Sequence, residues 1–306
     1  MDKRIASLSY SSGLLAHSCP RKYQLVKLSS QRTERLTRKQ SLTFDFGHMV
    51  GDGIAMLFSG VSLEDAIWKL FVLWPNEGIL DWDDDKNKSF FHGVDALMKF
   101  ENVRQQLFDE YEVLQTDRGP AIELGFYLSL PNGMAYRGFV DIVLRHKHTG
   151  EIRCIEVKTN SAVYVNPAQY KNSSQAIGYS LILDHIAPEV SSYDVTYLVY
   201  STKKLDYEVF DFNKTYQARA RWIRELILDA RAIQEWDAAD FYPTRGEHCI
   251  TYGRECDFLG MCHMETKQLV DLEGDPPEEE DISKYEFHIT LEELIKTQLE
   301  KTGAAI

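Results

Sequence analysis

The chain of 306 residues lacks any run of about 18 apolar residues, the length that a transmembrane helix needs. Its first residues, Met-Asp-Lys-Arg-Ile-Ala-Ser, also lack the apolar core of a secretory signal peptide. We therefore expect no membrane partner and a cytoplasmic location. Hydrophobic residues nevertheless make up 44% of the chain, as in an ordinary globular protein with a full core.

Cysteine is scarce and odd in number, with five residues in a chain that has no secretory signal, so a disulfide framework is not expected. Three of the five fall within 14 residues of loop-like sequence: Cys249, Cys256 and Cys262. Thiolates spaced in this way bind Zn²⁺ or an iron–sulfur cluster. Three cysteines are one ligand short of a set, and Cys19, His248 and His263 are the candidates for the fourth position.

Positive charge is also in deficit, since the net charge is −13. The first 40 residues run against this trend, with 9 Lys or Arg and 2 acidic residues. Such a basic region suffices for local contact with phosphates, although it could equally be the solvated face of a helix. The segment 266–306 is acidic and is predicted to be a linker followed by a short helix at Thr290–Thr302. We consider this tail a possible contact for a protein partner.

Two short runs in the middle of the chain are predicted to form a β-hairpin, Tyr136–Arg145 and Glu151–Thr159, joined by a turn at 148–150. Side chains alternate between the two faces of a strand, so Glu156 and Lys158 point to the same side. Asp141 comes from the neighbouring strand. The pattern therefore predicts two carboxylates and an ammonium group that converge beside a hydrophobic layer.

Two carboxylates and the main-chain carbonyl of Val157 would form an oxygen-rich site for Mg²⁺ or Mn²⁺. Such an ion can polarise a phosphodiester and lower the pKa of a bound water, and a nearby lysine can orient that water. The alternative is a surface salt bridge between Glu156 and Lys158 on a solvated strand, because short motifs often match by chance.

Helices and further strands are predicted on both sides of this hairpin. The predicted helices are Ser41–Phe58, Ser62–Trp74, His92–Leu114, Ser174–Ile186 and Thr215–Trp236, and a short helix is expected after Ser11-Ser12. The other predicted strands are Ala121–Leu130, Tyr193–Tyr200 and Tyr207–Phe212. This order indicates a mixed α/β sheet with helices on its faces.

Four residues in these elements are weaker candidates for the site. His48 could supply an imidazole ligand if its helix packs over Asp141 and Glu156, but a single histidine is more often structural. Glu123 is a further acidic candidate, with a surface or scaffold role favoured. Gln175 and Tyr179 are four residues apart and share one helix face, where they contact a phosphate or the catalytic lysine or merely lie at a helix edge.

With these pieces assembled, the chain from about Leu8 to His263 resembles the PD-(D/E)xK nuclease superfamily. It is most similar to the RecB-type nucleases that carry an iron–sulfur cluster, such as CRISPR-associated and AddB-type exonucleases and their phage-encoded relatives. The motifs match in number and order. Two features depart from the family: Val140 replaces the usual proline, and six residues separate the first two late cysteines where many relatives have two.

By that resemblance, His48 corresponds to a helical metal ligand, and Asp141 and Glu156 correspond to the two acidic ligands. Lys158 corresponds to the catalytic lysine, and the carbonyl of Val157 would also bind the metal.

The resemblance extends to a Gln-x-x-x-Tyr motif at Gln175 and Tyr179, which counts among the catalytic residues. It also implies that four cysteines bind a [4Fe–4S] cluster, with zinc as the alternative: Cys19, Cys249, Cys256 and Cys262.

The resemblance implies a restriction-endonuclease-like fold in which the cluster joins an N-terminal helical segment to a C-terminal Cys-rich loop. Residues 1–265 would form the nuclease domain, with a core at about 120–212 and a helical lobe at about 42–115. Relatives with this ligand set cut DNA, often single-stranded and from an end. We therefore expect a metal-dependent DNA exonuclease, with contacts to the strand from the basic region and from residues 160–172. The alternative is a weakly catalytic or non-catalytic DNA-binding subunit of a recombination or CRISPR spacer-acquisition complex.

Overall fold

The computed structural model describes residues 7–28, 42–74, 87–131, 133–187, 189–190, 192–251, 253–265 and 281–302. Most of the predicted acidic linker and residues 29–40 of the basic region therefore lie outside the described residues. None of the helices within the described ranges is long and apolar enough to cross a bilayer.

Twelve strands occur in the described part of the chain. They are β1 (Ser7–Leu8), β2 (Tyr111–Val113), β3 (Gln115–Thr116), β4 (Gly119–Pro120), β5 (Ile122–Ser129), β6 (Ala135–His146), β7 (Ile152–Asn160), β8 (Tyr193–Ser201), β9 (Asp206–Lys214), β10 (Ile250–Thr251), β11 (Arg254–Glu255) and β12 (Phe287–Thr290).

The α-helices of the same residues include both long elements and single turns. They are α1 (Tyr10–Ser18), α2 (Pro20–Leu28), α3 (Leu42–Phe58), α4 (Leu63–Leu73), α5 (Phe90–Leu107), α6 (Ala168–Lys171), α7 (Ser174–Gly178), α8 (Ser180–Ile186), α9 (Tyr216–Ala238) and α10 (Leu291–Thr302). Ser9, Ser62 and Ser89 cap α1, α4 and α5 with their side-chain oxygens, as expected for N-cap serines.

The chain forms two compact units. The central unit comprises Gln40–Gly125 and Phe139–Arg219, and the terminal unit comprises Met1–Lys39, Phe126–Gly138 and Ala220–Ile306. Strands β5 and β6 contribute residues to both.

The central unit is built on a mixed sheet. Within it, β6 pairs antiparallel with β7, β7 pairs parallel with β8, and β8 pairs antiparallel with β9. Helices α3, α4 and α5 bury apolar side chains against one face, where Phe46, Leu97 and Ile155 belong to a single hydrophobic cluster. The core therefore fixes the positions of the strands that carry the candidate site.

Within the terminal unit, both ends of the described chain pair with the parts of β5 and β6 that belong to this unit. Strand β1 pairs parallel with β6, and β12 pairs parallel with β5. Arg137 on β6 donates hydrogen bonds to Ser7 Oγ at 3.0 Å and to the hydroxyl of Tyr285 at 2.8 Å. The ring of Tyr136 packs against Trp222 of α9, with ring centroids 5.2 Å apart.

The predicted mixed α/β sheet with helices on its faces is confirmed. Two boundaries are corrected. The helix predicted for His92–Leu114 ends at Leu107, and residues 111–113 instead pair with β6. The helix predicted for Ser174–Ile186 is broken at Tyr179, between α7 and α8. Strand β12, which lies in the tail, was not predicted, because four residues are too few to show an alternating pattern.

Two glycines of α3 give a direct test of core packing. A Cβ atom at Gly53 would lie 2.5 Å from Leu97 Cδ2, whereas a Cβ atom at Gly51 would meet nothing within 4 Å. Gly51→Ala should therefore raise the free energy of unfolding by about 1 kcal/mol through helix propensity alone. Gly53→Ala should lower it by about 1–2 kcal/mol, because the buried side chain of Leu97 must move. Urea denaturation measures both changes, and equal stabilisation by the two variants would contradict this packing.

Candidate functional site

Asp141 lies where β6 and β7 separate. The regular pairing of the two strands extends from Arg145↔Ile152 to Ile142↔Ile155. Two residues beyond Ile155, the main-chain N–H of Val157 donates to Asp141 Oδ2 at 3.1 Å. The Asp141 carboxylate thus takes the place of a main-chain acceptor and fixes the end of the hairpin.

Glu156 is the most deeply buried carboxylate of the site, with 1% of the residue exposed. It accepts hydrogen bonds from the hydroxyl of Tyr179 and from Lys158 Nζ. Gln175 Nε2 in turn donates to the Tyr179 hydroxyl at 3.0 Å. The break between α7 and α8 lies at Tyr179 and so at the residue that contacts Glu156. Predicted residues Glu156, Lys158, Gln175 and Tyr179 therefore form one hydrogen-bonded chain.

Burial and like charges together shift the acid–base properties of these groups. Burial, reinforced by the charges of Glu156 and Glu123, raises the pKa of Asp141 well above its usual range, and Lys158 and the Val157 N–H only partly offset this. Burial also raises the pKa of Tyr179, which therefore remains a hydrogen-bond donor. Burial and like charges thus make the ionised forms of these groups costly in the folded state.

Two further carboxylates complete what we call the acidic cluster, defined as Asp52, Glu123, Asp141 and Glu156. Loss of hydration at its carboxyl, with the charges of Asp52 and Glu156, raises the pKa of Glu123 to about 7. Glu123 also has a left-handed backbone, with φ of 50°. The next three residues of β5, Leu124–Phe126, are all buried, so the alternation of the strand is interrupted at this point.

From the sequence, a surface or scaffold role was favoured for Glu123, and Asp52 was not identified as a candidate. The signal for Asp52 was the i, i+4 spacing from His48 on α3, which places both side chains on one helix face. Burial raises the pKa of Asp52, and the neighbouring His48 partly lowers it.

His48 itself is exposed on α3. Across the residues that the structure describes, no three His, Cys, Asp or Glu side chains stand close enough together to hold a single metal ion. The role of His48 as a ligand, like those of Asp141, Glu156 and the Val157 carbonyl, therefore stays a prediction. The donor set is nonetheless one of carboxylate oxygens, which suits the hard cations Mg²⁺ and Mn²⁺.

The loop after β7 is anchored at its base and exposed at its tip. Tyr170 of α6 stacks on Tyr197 with ring centroids 4.7 Å apart, and Lys214 Nζ donates to the Lys171 carbonyl at 2.6 Å. Val163 and Tyr164 are 70% and 72% exposed. The predicted strand-contacting segment 160–172 therefore presents an aromatic ring to solvent a few residues beyond Lys158.

A second candidate site lies within the terminal unit. All four predicted cluster ligands line one cavity: Cys19, Cys249, Cys256 and Cys262. His248 also lines this cavity, whereas His263 does not. Burial raises the pKa of the Cys262 thiol, and the charge of Cys19 adds to the effect while Arg21 opposes it. The fifth cysteine, Cys154, is buried in β7 of the central unit and takes no part.

Local structure explains the unusual gap of six residues between two of these cysteines. Strands β10 and β11 form a small antiparallel hairpin, with Ile250 opposite Glu255. Cys249 and Cys256 flank it, and the Cys256 N–H donates to the Cys249 carbonyl at 2.8 Å. The hairpin thus brings the two thiols to neighbouring positions at its open end. The four cysteines thus line one cavity, although in the described residues they do not stand close enough together to hold a metal ion. Thiolates are the donors that a [4Fe–4S] cluster or zinc requires, and ligation of either by these cysteines stays a prediction.

A family model described as the PD-(D/E)XK nuclease superfamily matches residues 7–263. The chain belongs to this superfamily. Among solved structures, the nuclease is similar to a candidate exonuclease from Eubacterium rectale, with 12% identity, 81% of this chain and 86% of that chain covered, and a TM-score of 0.48. It is also similar to a protein named SSO0001, with 13% identity, coverage of 85% and 87%, and a TM-score of 0.35. No curated protein matches the chain.

The raised pKa of Glu123 predicts how stability depends on pH in the metal-free nuclease. The folded state holds the Glu123 proton up to about pH 7, whereas an unfolded glutamate loses it near pH 4.3. Protons are thus bound more tightly by the folded state in this window, so stability falls as the pH rises through it. Glu123→Gln should therefore raise the Tm in EDTA more at pH 8 than at pH 5.

The control for this measurement is Glu112→Gln, which neutralises an exposed glutamate on β2 outside the acidic cluster. It should change the Tm by the same small amount at both pH values. A Glu123→Gln effect that does not depend on pH would show that the folded state does not raise the pKa of Glu123.

Proposed function

We propose that this nuclease is a Mg²⁺- or Mn²⁺-dependent DNA exonuclease that acts on single-stranded DNA and carries a [4Fe–4S] cluster. The observation that supports the hydrolytic part most directly is the chain of hydrogen bonds around Glu156. A carboxylate that is 1% exposed and held by both a tyrosine and a lysine has a fixed orientation. Such rigidity is what a catalytic metal ligand requires.

Each residue of the site has a defined part in the proposed mechanism. Asp141 and Glu156 would hold the metal together with the Val157 carbonyl, and His48 would add an imidazole. The bound ion would supply charge to neutralise the phosphodiester and to acidify a water. Lys158, whose side chain is 34% exposed, lies at the solvent side of Glu156 and can donate to an attacking water or to the phosphate.

Gln175 and Tyr179 act as positioning residues in this proposal. Tyr179 orients Glu156, and Gln175 orients Tyr179. The remaining side-chain oxygen of Gln175 is buried without a hydrogen-bond partner. An unpaired buried acceptor is costly in free energy, so a donor supplied with substrate or solvent would stabilise it.

The proposed preference for single-stranded DNA rests on an exposed aromatic side chain near the site and on the resemblance of the motifs to those of exonucleases. The exposed ring of Tyr164 suits stacking on an unpaired base, which every nucleotide of a single strand can offer. Among the residues predicted to contact the DNA strand, we assign none to base recognition. We therefore propose that the nuclease hydrolyses DNA without a sequence preference.

Substitution of the site residues tests the hydrolytic proposal. Lys158→Ala and Asp141→Ala should each lower the rate of degradation of end-labelled single-stranded DNA in Mn²⁺ by at least about 100-fold, since each removes a group that acts on the reacting phosphate. Lys203→Ala is the matched control, because this exposed lysine lies in the β8–β9 turn and should leave the rate unchanged.

Circular and end-labelled substrates compared in the same assay separate exonuclease from endonuclease action. Cleavage of circles at an equal rate would contradict the exonuclease proposal. A folded, metal-loaded wild type that degrades no DNA would favour the alternative of a DNA-binding subunit.

The nature of the cofactor is tested by anaerobic purification followed by a visible spectrum and metal analysis. A [4Fe–4S] protein is brown with a broad absorption band and should contain about four iron atoms per chain. Cys256→Ser should lose that band, whereas Cys154→Ser should keep it, because Cys154 lies in the other unit. A colourless wild type with one zinc per chain would contradict the cluster and support a zinc site.

A further inference from the structure

Arg21 is a buried cation beside the cavity of the four cysteines. Only 7% of the residue is exposed, although arginine is almost never buried without partners. It lies two residues after Cys19, at the start of α2. Cys19 itself caps the C-terminal end of α1, so the junction of the two helices places this cysteine and the charged side chain close together in the chain.

The partners of Arg21 lie in the C-terminal cysteine loop. Its Nε donates to the carbonyl oxygen of Cys262 at 3.1 Å, and its Nη2 donates to the carbonyl oxygen of Met264. Its Nη1 donates to the side chain of Gln24 on α2. The planar guanidinium thus spans from helix α2 to the main chain on both sides of His263.

Two other contacts attach the same helix to the C-terminal segment. The main-chain N–H of Arg21 donates to the Pro243 carbonyl at 3.0 Å. Leu25 packs with Phe258 in a small hydrophobic cluster that also includes Cys256, Met261 and Met264 as partly buried members. Apolar packing thus holds side chains on both sides of Cys262, and the guanidinium adds hydrogen bonds to the main-chain carbonyls of residues 262 and 264. Arg21 therefore supplies the side-chain hydrogen bond to the main chain of the last cysteine.

We propose that Arg21 is a positioning residue that preforms the cysteine cavity, by fixing the main chain at Cys262 before any metal or cluster binds. A flexible loop would have to lose conformational freedom when its ligands bind, and that loss would weaken binding. Arg21 removes this cost in advance. The proposal extends the proposed function to the residues around the cysteine cavity. Only the measurements on metal-loaded protein rest on the proposed cofactor.

The test compares three variants of the full-length chain. Arg21→Lys keeps the positive charge but loses the planar guanidinium group, and Arg21→Gln loses both. Lys22→Gln is the control, because Lys22 is the adjacent cation and also lines the cavity. In metal-free, reduced protein, the rate of alkylation by iodoacetamide is followed at each cysteine by peptide mass spectrometry. This first readout does not depend on whether the natural cofactor is iron or zinc.

We expect alkylation of Cys262 to accelerate at least about tenfold in Arg21→Lys, because each hydrogen bond to a charged group contributes substantially to holding the loop. Cys249 should react at its wild-type rate, since the hairpin holds it independently. Lys22→Gln should react like the wild type at both cysteines. Arg21→Lys is the decisive variant, because its retained charge leaves the thiolate fraction of Cys262 little changed.

The second readout is the metal content and the rate of loss of the visible band in air, where Arg21→Lys and Arg21→Gln should lose metal faster than Lys22→Gln. Unchanged alkylation of Cys262 in both Arg21 variants would overturn the proposal. Equal acceleration at all four cysteines, or loss of the fold in both variants, would also overturn it, because the role would then be general stability. A wild type without iron would refute the proposed cluster while leaving the alkylation result valid.

Discussion

The loss of hydration at neighbouring carboxylates is the constraint on which the candidate active site depends. It is the main reason why ionisation of Glu123 and Asp141 is costly in the folded state, and the charges of Asp52 and Glu156 add to that cost. The hydrophobic cluster fixes Ile142 of β6 and Ile155 of β7 next to these carboxylates, and Tyr179 and Lys158 donate hydrogen bonds to Glu156. The site thus holds carboxylates whose ionisation costs folding free energy, which is the usual relation between function and local stability.

Much of this centre could be predicted because strand alternation is a strong constraint. Once residues 151–159 were assigned to a strand, Glu156 and Lys158 had to share a face, and the short turn brought Asp141 beside them. Glu123 and Asp52 were harder to place. The left-handed backbone at Glu123 interrupts the alternation of β5. Strand alternation therefore could not predict to which face of the sheet its side chain points. Strand β12 depends on pairing with β5, which is a contact distant in sequence.

The two ligand sets of the chain differ in chemistry and in location. Carboxylate oxygens occupy the central unit, and thiols line a cavity of the terminal unit. The proposed metals match this division, because hard cations prefer oxygen donors and soft metals prefer thiolates. The cysteine spacing also shows the limit of a fixed sequence pattern. The hairpin between Cys249 and Cys256 brings these two residues together across a gap of six residues, as a tight turn would across a shorter gap.

The composition of the terminal unit has a consequence for synthesis on the ribosome. Its first segment ends at Lys39 and its last begins at Ala220. More than 200 residues are therefore synthesised between Cys19 and Cys249. All residues of the central unit are synthesised by Arg219, before the last segment of the terminal unit begins. The described contacts of the cysteine cavity can form only after the chain has been extended past Cys262. Folding of the terminal unit is therefore completed after the residues of the central unit are already in place to fold.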